Sequence, residues 1–126
     1  MDTLHLKSLQ FFGRHGTEDW EKQMGRRFEV DLILHADMAS QGRSDRLDQA
    51  LDYRDVHAAA RAVVEDESHE LIERIAWRLL EEMFSRFDVD QVTCRVAKPE
   101  APIGGLNGAV VIEYTRTRRQ MASAPG

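Results

Sequence analysis

Apolar and polar positions take turns through residues 28–37: Phe28, Val30, Leu32, Leu34 and Ala36 alternate with Glu29, Asp31, His35 and Asp37, with Ile33 the one apolar intruder. A two-residue period puts one side of such a segment on a core, so it is predicted to be a strand. Thr3–Phe12 repeats the pattern less cleanly. Leu4 and Leu6 hold one phase, and Leu9 and Phe11 take the other. A slip of this kind predicts a bulge or bend before the turn at Gly13. A loop carrying Gly13, Gly16 and Gly25 is expected between the two strands.

The period then changes to three and four. Val56, Ala59, Ala60, Val63 and Val64 form the stripe of a helix from about Tyr53 to Asp66, with Asp52 placed to cap it. Leu71, Ile72, Ile75, Ala76, Leu79, Leu80, Met83, Phe84 and Phe87 mark a second helix, for which Ser68 is the expected cap. Two strands follow, one through Val92, Cys94 and Val96, the other through residues 109–114 with apolar side chains on both faces. The order ββααββ predicts an α+β fold: a four-stranded antiparallel sheet with two helices on one face. Its edges and open face favour self-association. One domain is expected over residues 1–119, with a disordered tail over 120–126.

Composition narrows the function classes. A chain of 126 residues buries roughly two-thirds of its unfolded surface in one core. Seventeen basic against twenty-two acidic side chains give a net charge of -5, which argues against a nucleic-acid partner. The cluster Arg116, Arg118 and Arg119 is read as a solvated strand end. No apolar run of ~20 residues is present to span a bilayer, and the N-terminus lacks the layout of a secretory signal, so a cytoplasmic location is expected. The single cysteine, Cys94, sits in an alternating apolar run and is expected to be buried and inert.

Several chemistries lack their motifs, among them a Gly-x-Ser-x-Gly elbow, a phosphate-cradling loop and a dinucleotide fingerprint. His5, His15, His35, His57 and His69 never fall at the spacing of a local metal pair, so no metal and no cofactor are expected, although histidines on separate strands could converge. Lys98 ends an alternating strand, with Pro99 holding it extended and Pro102 stiffening the following turn. Such a lysine has a fixed direction, useful to a proton donor, yet taken alone a strand-terminal lysine is more often a solvated charge. Glu73, in the first turn of the second helix, fits the dipole there and could also accept paired hydrogen bonds from a planar amide-plus-amine edge. Tyr53 and Glu21 carry no signal one by one.

In combination these residues resemble the dihydroneopterin aldolase family, over about Thr3–Arg116. Four blocks carry the resemblance: Phe12-Gly13-Arg14-His15-Gly16 with Asp19-Trp20-Glu21; Leu51-Asp52-Tyr53; Leu71-Ile72-Glu73-Arg74-Ile75-Ala76; and Val96-Ala97-Lys98-Pro99-Glu100-Ala101-Pro102-Ile103. The resemblance implies the tunnelling fold, in which four subunits join sheets into a barrel and two barrels stack as an octamer. It implies active sites between subunits and a pterin substrate, 7,8-dihydroneopterin, cleaved to 6-hydroxymethyl-7,8-dihydropterin and glycolaldehyde. By resemblance Lys98, Glu21 and Tyr53 are catalytic, and Glu73, Ile72, Leu51 and Tyr53 bind substrate. One departure is visible: Gly104 stands where the family commonly has a second proline. Two alternatives remain open, a dihydroneopterin triphosphate epimerase and a non-catalytic pterin-binding ring protein.

Overall fold

The computed structural model describes residues 1–101, 104–105 and 108–123, apart from the side chain of Gln49. Pro102, expected to stiffen the turn after Lys98, lies outside the described residues, as do residues 124–126 of the expected tail.

Four strands form one antiparallel sheet in the order β1-β2-β3-β4: β1 (Asp2–Gly13), β2 (Arg26–Ala36), β3 (Gln91–Lys98) and β4 (Val110–Thr117). Alternation sets the buried face. Phe28, Val30, Leu32 and Leu34 of β2, with Val92, Cys94 and Val96 of β3, are fully buried. The phase slip in β1 is a bulge. Leu6 pairs with Leu32 and Leu9 with Val30, so Lys7 and Ser8 together face one residue of β2. Ser8 takes a left-handed backbone, φ 58, and its N–H donates to Asp31 Oδ1 at 2.6 Å. The extra residue is what lets both Leu6 and Phe11 reach the same core.

Two long helices cover that face. In α3 (Tyr53–Asp66), Asp52 caps the first turn by accepting from the Arg54 N–H at 2.9 Å. In α4 (Ile72–Arg86), Ile75, Ala76, Leu79, Leu80, Met83 and Phe84 are buried. Each fully buried leucine contributes about 1.5–3 kcal/mol from removal of apolar surface from water. Ser68 is not the cap of α4: that helix begins after Leu71 without a side-chain cap, and Ser68 Oγ instead donates to the Arg14 carbonyl at 2.6 Å. Cys94 is buried as expected, and burial with the nearby charge of Asp31 pushes its thiol far above the ordinary range.

Among the described residues, three short α-helices and a 3-10 turn (Leu47–Gln49) join the two expected helices: α1 (Asp19–Met24), α2 (Ala39–Ser44) and α5 (Arg118–Ser123). The expected glycine loop therefore contains a helix, and the expected disordered tail is helical through Ser123. Arg118 explains the second difference. Its guanidinium donates to the carbonyls of Phe84, Phe87 and Val89, capping the end of α4, rather than lying free in solvent. No helix among the described residues is long and apolar enough to cross a membrane.

Candidate functional site

Glu21 sits on α1, whose six residues are too few to hold a helix by themselves. Gly25, at φ 68, closes the helix by donating its N–H to the Glu21 carbonyl at 2.9 Å. Arg14 then donates to the carbonyls of Lys22 and Gln23. Gly16 packs so closely that a Cβ there would lie 2.6 Å from Glu21 Cδ, and its φ of 149 also favours glycine. These contacts press the Glu21 side chain inward until the residue is only 3% exposed.

A buried carboxylate needs a partner. Lys98, the last residue of β3, supplies one: its Nζ donates to Glu21 Oε2 at 2.7 Å. Burial alone would raise the Glu21 carboxyl, but the Lys98 hydrogen bond and charge, with help from Arg26, hold it below its ordinary 4.5. Arg26 also donates to the Glu100 carbonyl and lies over the Trp20 ring at 5.8 Å. It thereby ties the turn after Lys98 to the helix of Glu21.

Behind this pair lies His15, 1% exposed. Its Nδ1 accepts from the His69 N–H at 3.0 Å, so its Nε2 is the protonated nitrogen and donates to the Val64 carbonyl at 2.6 Å. The His15 and His69 rings stack at 5.7 Å, and His69 Nε2 meets Glu67 Oε1 at 2.7 Å. Lys22 Nζ reaches Glu70 Oε1 at 4.0 Å, which brings α1 beside the chain entering α4. Ile72 and Glu73 open that helix, Ile72 half-buried against the core and Glu73 exposed.

Leu51 and Tyr53 are elsewhere. Val64, at the His15 end of α3, is eleven residues on from Tyr53, about 17 Å along the helix at ~1.5 Å per residue. Leu51 lines a cleft of about 340 Å³ with Ala36, Met38 and Phe87. Ala36 is at the far end of β2 from Glu29, the partner of Ala97 and so the neighbour of Lys98. Tyr53 is 63% exposed. One chain thus brings Glu21 and Lys98 into contact, sets the chain entering α4, ahead of Ile72 and Glu73, beside α1, and presents Leu51 and Tyr53 toward the other end of α3.

The dihydroneopterin aldolase (FolB) family model matches residues 4–115. The chain belongs to the dihydroneopterin aldolase family. It is 34% identical over 119 residues to the dihydroneopterin aldolase of Bacillus subtilis, covering 94% of this chain and 99% of that one. To the dihydroneopterin aldolase of Streptococcus pyogenes serotype M18 it is 35% identical, covering 94% and 100%. Its fold is similar to the crystal structure of E. coli dihydroneopterin aldolase in complex with neopterin, with TM-score 0.81, 27% identity and coverage of 90% and 99%. Family membership makes the chain an aldehyde-lyase of folate biosynthesis. Sequence reasoning missed His15 and Arg26. The signal for His15 was its place between Gly13 and Gly16, where close backbone packing leaves an imidazole few directions to point.

Proposed function

We propose that this aldolase cleaves 7,8-dihydroneopterin by a retro-aldol reaction at a site completed by two chains, in an octamer of two stacked barrels in the cytoplasm. The observation that carries the reading is the buried Lys98–Glu21 pair at 2.7 Å, an ammonium and a carboxylate held ready to exchange protons through a water with a substrate beside them.

Glu73 accepts from the amide and amine of the pterin edge, a planar pair of donors that matches a carboxylate's two oxygens. Backbone groups at Ile72 and Leu51 complete ring recognition. Lys98 and Glu21 manage protons at the ring nitrogen and at the departing side chain. Tyr53 of a neighbouring chain relays a proton as the enol-like intermediate becomes product, and the ring stacks near it. The C=N bond beside the side chain takes up the electrons released on carbon–carbon cleavage, so the bond breaks without a Schiff base or a metal. The same intermediate re-formed with inverted stereochemistry gives 2′-epimerisation as a side reaction.

The two-chain site is supported by the separation of Tyr53 from the Glu21 end and by exposed apolar side chains at both ends. Trp20 and Leu71 are 45% and 51% exposed at one, Leu47 and Tyr53 62% and 63% at the other. Incubation of purified protein with 7,8-dihydroneopterin and EDTA tests the reaction. Glycolaldehyde release is expected. Pterin binding without release would overturn the aldolase reading, and release abolished by EDTA would overturn the metal-free step.

A further inference from the structure

Three contacts tie the glycine-rich loop to the connection between α3 and α4. Ser68 Oγ donates to the Arg14 carbonyl at 2.6 Å, the His69 N–H donates to His15 Nδ1 at 3.0 Å, and the Gly16 N–H donates to the His69 carbonyl at 3.0 Å. Consecutive loop residues therefore meet Ser68 and His69, and only the middle contact depends on a side chain from the loop. On one side the loop leads to Glu21, against which Gly16 packs. On the other the connection leads through Glu70, in reach of Lys22, to Ile72 and Glu73.

The imidazole is suited to this place by having a donor and an acceptor on opposite sides of a rigid ring. Its second nitrogen binds the Val64 carbonyl at 2.6 Å, its edge meets the Phe28 ring at 5.1 Å and 85°, and its face stacks on His69. Gly13 leaves it that room: a Cβ on Gly13 would lie 2.7 Å from both His15 Cδ2 and the Val64 carbonyl oxygen. His15 does not reach into the site, and nothing in the reaction assigns it a proton.

We propose that His15 is a positioning residue for the aldolase reaction, fixing the Glu21–Lys98 pair relative to the pterin-anchoring start of α4 through the His69 N–H bond. The proposal rests on the roles given above to Glu21, Lys98 and Glu73. Losing the cross-link leaves the pterin anchored on Glu73 and displaces the proton relay beneath it. The expected signature is a fall in kcat with little change in KM, since a displacement of about 1 Å can cost up to ~100-fold in rate.

The experiment compares His15→Ala, His15→Asn and His15→Gln with the wild-type full chain. Steady-state cleavage of 7,8-dihydroneopterin is measured for each, together with peptide-resolved amide hydrogen exchange. Asn places an acceptor near the Nδ1 position, whereas Gln places its polar atoms near Nε2. In His15→Ala, kcat is expected to fall by about 10- to 100-fold with KM within about threefold. In His15→Asn, kcat recovers to within about fivefold of wild type, and His15→Gln stays below His15→Asn. Faster exchange is expected in residues 13–25 and 67–72, with residues 91–98 unchanged. Equal kcat in wild type and His15→Ala would overturn the proposal. So would a loss expressed in KM alone, or His15→Gln outperforming His15→Asn, and the Asn–Gln comparison decides if the alanine variant fails to assemble. A wild-type protein that releases no glycolaldehyde overturns the functional reading instead. The exchange data then decide separately whether His15 couples the two segments.

Discussion

Lys98 Nζ and Glu21 Oε2 meet at 2.7 Å across 77 positions of chain. The contact joins the end of a core strand to a six-residue helix that has no apolar stripe and is held by Gly25, Arg14 and Gly16. A rigid element thus carries the cation, and a locally weak one is clamped around the anion. Their side chains are 14% and 4% exposed, so screening by water is slight and the pair is electrostatically strong.

Breaking this pair from the lysine side leaves a buried carboxylate uncompensated. Lys98→Met is expected to destabilise the chain by about 3 kcal/mol and to raise the Glu21 carboxyl above its present depressed value. The double variant Lys98→Met/Glu21→Gln recovers part of that loss, because the orphaned charge is gone. Both lose about 100-fold or more in kcat. Denaturant unfolding of the four proteins of the cycle checks the coupling, and strict additivity would contradict it.

Acidification destabilises the fold in two stages. Burial lowers the His15 imidazole below its ordinary 6.5, partly offset by its bond to the Val64 carbonyl; His69 and Lys98 lower it further, and Glu67 opposes them. The unfolded chain therefore binds the His15 proton first, and stability present above pH 6.5 is lost as pH falls from there toward the lowered value. Glu21 acts at lower pH: its stabilisation, present above about 4.5, disappears as pH falls through its depressed value. Thermal midpoints between pH 8 and pH 3 should show both declines, with the upper one absent in His15→Asn.

Arg118 gathers three carbonyls at the end of α4 and lies over the Phe84 ring at 5.2 Å. Arg118→Ala is expected to cost about 1–2 kcal/mol, with kcat unchanged because the cap is at the end of α4 away from Glu73. Arg118→Lys recovers less than half, since an ammonium's three donors share one nitrogen whereas the guanidinium spreads Nε, Nη1 and Nη2 to three separate carbonyls. Thermal unfolding alongside the cleavage assay separates the two effects.

The core was legible because it repeats. Phe28 to Leu34 announce a strand by their period, Ile75 to Phe84 a helix, and the slip between Leu6 and Leu9 marks the bulge at Ser8. α1 was not legible, because Asp19–Met24 is stabilised by contacts from Arg14 and Gly16 rather than by its own pattern. Ser68 looks like a cap from its position, and only the folded chain shows the Arg14 carbonyl as its acceptor. Glu21 and Lys98 emerged as a pair through family resemblance alone, since no periodicity links residues 77 positions apart. His15 stayed hidden because spacing rules seek metal ligands, whereas its partners are two backbone groups.

The placement of Tyr53 yields the most direct test of a shared site. If Tyr53 serves the Lys98 of a neighbouring chain, Tyr53→Phe and Lys98→Ala damage opposite halves of each interface. Homogeneous assemblies of either variant then have only damaged sites, with residual activity of about 1% or less. In a mixed assembly some interfaces receive Tyr53 from a Lys98→Ala chain and Lys98 from a Tyr53→Phe chain. Random assortment of equal amounts makes about a quarter of the sites whole. Activity should therefore rise to about a quarter of wild type when the variants are unfolded, mixed and refolded together, and should stay at the residual level when they are mixed without exchange. Separate sites within each chain would give no gain on co-refolding.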